Sequence, residues 1–378
     1  MAKKKLVFQE VEGQPEIATE RSGRRLEKDL SSQTRYSVLW LSVLLSMIAV
    51  TVVVGGMTRL TDSGLSMVEW KPITGVLLPL SHEKWLLEFE KYKLIPEFLL
   101  QNSDMGLNEF KYIYLWEWGH RQLGRSIGVV WIIGFIWLAL GRLIPKGYLV
   151  KFGFLGVLIC FQGFIGWWMV HSGLMPEMTD VASYRLAAHL GMAFSIIGLI
   201  LWFILSLGLK FETEMVRRRS RDQKLYRFMN LYLVTLFLQI ILGALVAGID
   251  AGTAYTDWPF MAGEVFPSEY WSLEGITKNF LENPATVQFN HRLIAYLLLI
   301  IGITTFVQSR KSPITFLKRG HLLLFCILLL QVLLGIITIM SGAAYQIAIV
   351  HQLLALILWL VAIWMSFETA YPRRQILV

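Results

Sequence analysis

Two short polar stretches contain the residues of this sequence best suited to chemistry. Glu117 and His120 are three positions apart at the head of a long apolar run. Later in the chain Gln288 and His291 repeat this spacing, and an arginine follows each histidine. Residues three or four apart share one face of a helix. Because ionisable groups at membrane depth usually mark function, these residues are the first candidates for a site.

The composition is that of a polytopic membrane protein. Hydrophobic residues make up 55% of the chain and charged residues 16%, whereas a soluble domain has about a quarter of its residues charged. The net charge of +8 comes from Lys and Arg in connecting segments, so nucleic-acid binding is not expected. Runs of about 20 apolar residues predict an all-α integral membrane protein. The eight predicted spanning helices are 36–57, 111–140, 151–171, 185–208, 226–249, 287–308, 320–340 and 346–367.

The connecting segments predict an orientation. Basic residues concentrate before the first helix, in the even-numbered connections and at the C-terminus, whereas 250–287 holds six carboxylates and one lysine. Both termini are therefore expected in the cytoplasm. The long connections 58–110 and 250–286 then lie outside, where we expect caps with short helices of their own.

The two halves of the chain resemble each other. His291 follows His120 by 171 residues, and His351 matches His189. A glutamine four residues before a glycine recurs in the third, fifth and seventh helices, at Gln162, Gln239 and Gln331. This repetition predicts two duplicated four-helix bundles, related by a parallel pseudo-twofold axis along the membrane normal.

The repeat divides the chain into five parts. They are a flexible cytoplasmic tail at 1–34, a first bundle at 35–210, a cytoplasmic linker at 211–225, a second bundle at 226–370 and a cytoplasmic tail at 371–378. Cys160 and Cys326 lie in separate apolar runs without metal-ligand spacing, and they are predicted to be small core residues.

The four repeat-matched histidines are predicted to lie at a similar depth. Each is 16 to 22 residues from the cytoplasmic end of its helix, which is about 24 to 33 Å. Facing imidazoles in a four-helix bundle suit axial ligation of haem iron, and no further ligands for zinc are evident. We expect two bis-histidine sites, His120 with His189 and His291 with His351. The other three histidines, His82, His171 and His321, have no such match.

Arginines at the outer helix ends suit the propionates of a haem, because guanidinium groups pair well with carboxylates. For any single arginine, snorkelling to the membrane interface explains the position equally well. The candidates for propionate contact are Arg59, Arg121, Arg125, Arg185 and Arg292.

The halves differ where Glu117 is replaced by Gln288. An electron-transfer haem needs no carboxylate, whereas a site that activates water or handles protons does. The difference indicates chemistry in the first half and a resident redox haem in the second.

Further motifs accompany the histidines. The full set is Gly55–Ser66, Trp70–Pro72, Gly75, Pro79, Glu117-x-x-His120-Arg121, His189, Gly248–Gly252, Trp258-Pro259, Asn290–Arg292 and His351. Together these residues resemble the haem A synthase family, membrane enzymes that convert haem O to haem A. The resemblance covers nearly all of residues 36–370. This chain lacks the cysteine pair that some members carry in the first outer connection, so it resembles the other branch.

The resemblance implies that His291 and His351 hold haem b as a cofactor, and that His120 and His189 bind the substrate haem O. Glu117 would be the catalytic carboxylate, as a base toward water or as a stabiliser of positive charge. The family oxidises the C8 methyl group to a formyl group through a hydroxymethyl intermediate, with water as the oxygen source.

The resemblance also implies a functional link to haem O synthase and a place in the bacterial inner membrane, with both haem sites near the periplasmic side. The electron acceptor stays open, as does assembly into a homo-oligomer.

Two other functions remain open on the residues alone. A non-catalytic di-haem b-type cytochrome carrying electrons from quinol would also use four histidines, but it would not explain Glu117 opposite Gln288 or the outer caps. A transporter that uses the repeat for alternating access would have broken helices and polar groups near mid-membrane, whereas these runs are continuous.

Overall fold

Thirteen helices form the part of the chain that the structure, a computed structural model, describes, namely residues 16–71, 74–176, 178–209 and 211–373. In chain order they are α1 (Glu16–Leu60), α2 (His82–Tyr92), α3 (Pro96–Gln101), α4 (Leu107–Leu140), α5 (Leu149–Gly173), α6 (Ser183–Leu207), α7 (Phe211–Arg219), α8 (Gln223–Gly248), α9 (Ala251–Ala254), α10 (Ile276–Glu282), α11 (Pro284–Arg310), α12 (Thr315–Met340) and α13 (Tyr345–Ala370).

The eight predicted spanning helices are confirmed. Helices α1, α4, α5, α6, α8, α11, α12 and α13 are long and apolar enough to cross a membrane, with the apolar part of α1 starting at Ser32. The predicted ends agree with these spans to within five residues. The apolar runs were sufficient to predict these spans because the thickness of a bilayer fixes the length of a spanning helix.

The predicted N-terminal tail needs a correction. Helix α1 begins at Glu16, so the described part of the tail is helical. Residues 16–34 contain one glycine and no proline, and nothing in them ends a helix that continues into the membrane. Residues 1–15 and 374–378 of the two predicted tails lie outside the described residues.

Both long outer connections contain the short helices that were expected. The first cap, residues 61–106, has a 3₁₀ turn at Thr74–Val76, followed by α2 and α3. Its aromatic core packs on the first turns of α4, where Phe89 and Tyr92 contact Phe110 with ring centroids 5.0 and 5.3 Å apart. The second cap, residues 249–283, has α9, a 3₁₀ turn at Ser268–Trp271 and α10.

The spanning helices form two rings of four. Helices α1, α4, α5 and α6 each contact the next, and α6 closes on α1; α8, α11, α12 and α13 do the same. The rings meet where α1 and α6 pack against α8 and α13. This neighbour pattern agrees with two four-helix bundles, while their duplication about a pseudo-twofold axis stays a prediction.

The prediction that the two cysteines are core residues was wrong. Cys160 on α5 and Cys326 on α12 are free thiols and both are exposed. The lipid-facing surface of a membrane bundle is as apolar as its interior, so an apolar neighbourhood in sequence does not distinguish the two.

Glycines set the distance between neighbouring helices in the first ring. A Cβ at Gly156 on α5 would overlap the indole of Trp131 on α4, whereas a Cβ at Gly153 on the same helix has no atom within 4 Å. Trp131 also donates a hydrogen bond from Nε1 to the Phe152 carbonyl at 3.2 Å. The indole therefore occupies the groove that the missing side chain leaves.

We expect Gly156→Ala to destabilise the bundle by about 1–3 kcal/mol through overpacking, seen as a lower unfolding temperature in detergent. Gly153→Ala is the matched control and should leave that temperature unchanged or slightly raised. Equal unfolding temperatures for the two variants would contradict this account of the α4–α5 contact.

Candidate functional site

Each of the four repeat-matched histidines lies against a glycine of the preceding spanning helix. The pairs are Gly55 with His120, Gly166 with His189, Gly243 with His291 and Gly335 with His351. A Cβ on any of these glycines would come within 2.6 to 3.1 Å of the imidazole Cε1, closer than van der Waals contact allows. The bare Cα atoms therefore form cradles that hold the four rings between helices.

The four histidines lie on opposite helices of the two helix rings. His120 is on α4 and His189 on α6, which stand opposite each other in the first ring, as α11 and α13 do in the second. All four keep part of their surface accessible. The structure thus places the members of each predicted pair on opposite helices of one helix ring, and their pairing on one haem stays a prediction.

These pairs suit a haem better than a bare metal ion. Among the described residues, no group of three or more His, Cys, Asp or Glu side chains is placed to hold a metal ion. A porphyrin brings its own four nitrogen ligands, so two histidines from opposite helices would suffice to hold a haem iron. The glycine cradles would suit this group, because they hold each imidazole between helices of an apolar bundle.

Three glutamines contact the histidines, and sequence reasoning recognised them only as part of the repeat. Their Nε2 atoms lie 3.1 to 3.4 Å from the ring nitrogens of His189, His291 and His351. They are Gln162, Gln239 and Gln331, each one helical turn before a cradle glycine. Thr51 occupies this place before Gly55. The recurrence of Gln four residues before Gly was the signal for these partners.

Glu117 is 3% exposed and fastens the first cap to α4. Its Oε2 accepts hydrogen bonds from the Ser66 hydroxyl and the Met67 amide, both at 2.7 Å. Its Oε1 accepts a hydrogen bond from Arg121 at 2.6 Å within a buried ion pair. The carboxylate is one turn from the His120 cradle and is paired, so its charge is compensated.

Gln288 occupies the equivalent place in the second half and is fully buried. Its Nε2 donates to the carbonyls of Ala251 and Tyr255 at 2.8 and 3.1 Å, and its Oε1 accepts from Arg292 at 2.9 Å. The first cap thus offers donors to a carboxylate, and the second offers acceptors to an amide. The exchange of Glu for Gln therefore has a structural reason besides the chemical one predicted.

The candidate arginines hold the outer segments. Arg121 donates to the carbonyls of Met67 and Glu69, and three other candidates contact carbonyls in the same way. These contacts are Arg125 to Lys71, Arg185 to Trp168, and Arg292 to Phe260 and Tyr255. A guanidinium has five donors, and contact of these arginines with haem propionates stays a prediction.

Arg59 differs from the other candidates because its partners are carboxylates. It is 2.8 Å from Asp62, 3.5 Å from Asp180 and 2.7 Å from Asp250. Asp250 follows α8, so this cluster joins the outer ends of the two rings. Burial raises the pKa of Asp180 to about 6, Arg59 opposes the rise and Asp250 adds to it.

One contact links the two histidine sites inside the membrane. Gln352, the residue after His351, donates from Nε2 to the Val52 carbonyl on α1 at 2.8 Å. Its amide fills the notch at Gly56, where a Cβ would overlap it. Gly56 follows the cradle glycine of His120, so adjacent positions on α1 contact both sites.

Glu97 is a buried carboxyl group in the first cap that sequence reasoning missed. It is 2% exposed, and its Oε2 is buried without a hydrogen-bond partner among the described residues. Burial raises its pKa to about 8, and the charges of Glu117 and Asp180 add to the rise. No spacing in the sequence marks it, because its surroundings are built from several segments of the cap.

The comparison with known families agrees with this site. The family described as cytochrome oxidase assembly protein, COX15-CtaA, matches residues 38–363, which include all four histidines and both caps. The chain belongs to this family. This family match confirms the resemblance that the sequence motifs indicated.

Relatives match the chain over nearly its whole length. A protein named Heme A synthase from Dinoroseobacter shibae is 47% identical over 98% of this chain and 97% of its own. Proteins of the same name from Roseobacter denitrificans and Paracoccus denitrificans are each 45% identical. The first match covers 98% of both chains, and the second covers 97% of this chain and 96% of its own.

The raised pKa of Glu97 predicts a dependence of stability on pH. The folded protein binds a proton more tightly than the unfolded chain, so the free energy of unfolding falls as pH rises from the ordinary pKa, 4.5, to about 8. We expect the unfolding temperature to fall between pH 6 and pH 9, and to fall less in Glu97→Gln. Glu90→Gln, at an exposed position on α2, should behave like the wild type. An identical fall in Glu97→Gln would contradict the assignment.

Proposed function

We propose that this member of the cytochrome oxidase assembly family is a haem A synthase. It oxidises the C8 methyl group of haem O to a formyl group through a hydroxymethyl intermediate. The observation that carries the proposal is the set of four histidines, two in each four-helix ring and each with its imidazole against a glycine, in a chain whose near full-length relatives are named Heme A synthase.

The two pairs take different haems. His291 and His351 hold haem b, and His120 and His189 hold the substrate haem O. Only the first ring has a carboxylate one turn from its histidine, Glu117, whereas the second has the uncharged Gln288. Haem b held there would supply a one-electron redox centre for the electrons released by the substrate.

Glu117 supplies the proton chemistry. Oxidation of a methyl group with water releases protons and electrons in equal number, so a group near the substrate must take up protons or balance charge. The carboxylate is buried and anchored by Ser66, Met67 and Arg121. It acts either as the base toward water or as the partner of positive charge on the substrate, and its anchors keep it oriented for both roles.

The proposed arrangement in the membrane follows the charge of the connections. The first bundle, 35–210, binds substrate and the second, 226–370, binds the cofactor, related by a parallel repeat. Both termini are cytoplasmic, and the histidines lie near the periplasmic side of the bacterial inner membrane. His189, His291 and His351 are six or seven residues from the starts of their helices, in support of this depth. Haem O synthase is the functional partner that supplies substrate.

Pigment extraction from the purified protein tests the function. Protein made with a co-expressed source of haem O should contain haem O, the hydroxymethyl intermediate or haem A besides haem b, and protein made without that source should contain haem b alone. Haem b as the sole pigment in both preparations would favour the di-haem cytochrome and contradict the proposal.

The ligand assignment predicts different losses in the two halves. His291→Ala should lose the haem b absorption spectrum, because a bis-histidine site loses one axial ligand. His120→Ala should retain that spectrum and lose bound haem O. Equal loss of haem b from both variants would contradict separate substrate and cofactor sites.

Glu117→Gln should form little haem A while keeping bound haem b. A missing acid–base group typically costs 10²- to 10⁴-fold in rate, measured here as haem A formed per haem b. Ser66→Ala is the matched control, since it removes one hydrogen bond to the same carboxylate and leaves its charge. We expect the control to lose about tenfold or less. Normal product formation by Glu117→Gln would remove the catalytic assignment.

A further inference from the structure

The four histidine cradles are alike except at one position. In α5, α8 and α12 a glutamine precedes the cradle glycine by one turn, and its amide contacts the imidazole. In α1 this position is Thr51, whose hydroxyl donates to the Met47 carbonyl of its own helix at 2.8 Å. The threonine side chain is therefore used within α1 and does not hold His120.

The four imidazole rings differ accordingly in their hydrogen bonds. His120 Nδ1 is buried without a hydrogen-bond partner among the described residues. The backbone carbonyl of Thr51 is near the His120 ring, just as the carbonyl of Gln239 is near His291. The backbone surroundings thus match between these two cradles, and the side-chain amide is the difference.

The three glutamines also have an unused acceptor each. The Oε1 atoms of Gln162, Gln239 and Gln331 are buried and have no hydrogen-bond partner among the described residues. A neutral histidine that binds iron through Nε2 carries its proton on Nδ1, and such ligands nearly always donate that proton to a neighbouring acceptor. In Gln162 and Gln331, Nε2 also donates to the backbone carbonyl of the same histidine, at 3.0 and 3.1 Å, so the amide is fixed beside the imidazole. Three glutamine amides thus accompany three of the four imidazoles.

We propose that Thr51 makes His120 the exchangeable ligand of the substrate site, while Gln162, Gln239 and Gln331 are positioning residues that lock the other three histidines. This inference rests on the proposed function. The cofactor is held by two locked ligands, His291 and His351, and so stays bound. The substrate haem is held by one locked ligand, His189, and one free ligand, so it can enter and its product can leave without loss of the site.

This asymmetry meets opposite needs within one fold. A cofactor must remain through many turnovers, whereas a substrate held by two locked imidazoles would be released slowly. A hydrogen bond contributes about 0.5–1.5 kcal/mol, which corresponds to about a 2- to 10-fold change in the fraction of time a ligand is off the iron. His120 is also the histidine beside Glu117, so the free ligand lies on the proposed catalytic side.

Carbon monoxide binding tests the proposal, because it requires an axial histidine to leave ferrous iron. In wild-type protein loaded with haem O, we expect CO to bind the substrate haem and not haem b. Thr51→Gln adds the missing amide and should lower the rate of CO binding about 2- to 10-fold and raise the haem O retained through purification. Val50→Gln puts the same amide on the exposed face of α1 and should leave both unchanged.

The reciprocal change tests the lock in the second ring, independently of substrate. Gln331→Thr should let CO reach haem b and speed haem b loss, while Gln308→Thr, at a glutamine on α11 away from the cradles, should not. CO binding that is unchanged in both Thr51→Gln and Gln331→Thr, with haem b intact, would overturn the inference. A wild-type protein that never retains haem O would instead contradict the proposed function, and the exchange role of His120 with it.

Discussion

The structure depends on the contact between an imidazole and the bare backbone of a glycine on the neighbouring helix. Where two helices meet at such a point, the glycine backbone packs directly against one side of the imidazole and limits its position and orientation. The contact occurs once in each of the four hairpins formed by successive spanning helices. Closing two hairpins into a ring then puts two of these histidines on opposite helices. The site is therefore a product of helix packing and needs no specialised loop.

The outer caps add charge and hydrogen bonding to this packing. Each cap places hydrogen-bonding groups against the residue one turn before a histidine. The type of that residue matches the donors or acceptors that the cap provides. Hydroxyl and amide donors select a carboxylate at Glu117, and carbonyl acceptors select an amide at Gln288. The arginine that follows each histidine joins the same network. Acid–base potential and cap attachment are thus two properties of one buried group.

Much of this arrangement could be predicted from the sequence, because it repeats. Apolar runs predicted the eight helices, and the recurring histidines predicted residues that the structure places on opposite helices of each four-helix ring. Other features lay outside that reasoning. Glu97 is buried by side chains from distant parts of the first cap, so no local pattern marks it. The partners of Arg59 come from both halves of the chain. The exposed positions of Cys160 and Cys326 were missed because an apolar run does not reveal which side of a helix meets lipid.

The Gly55–Gly56 step limits how independently the two halves of this protein can change over evolutionary time. One glycine receives a histidine from its own bundle, and the next receives Gln352 from the other. A substitution at either position, or a rotation of α1 that accommodates one, would change the packing of both His120 and Gln352. Changes in one half are therefore constrained by the other, because this strip of α1 backbone forms part of the border between the two rings.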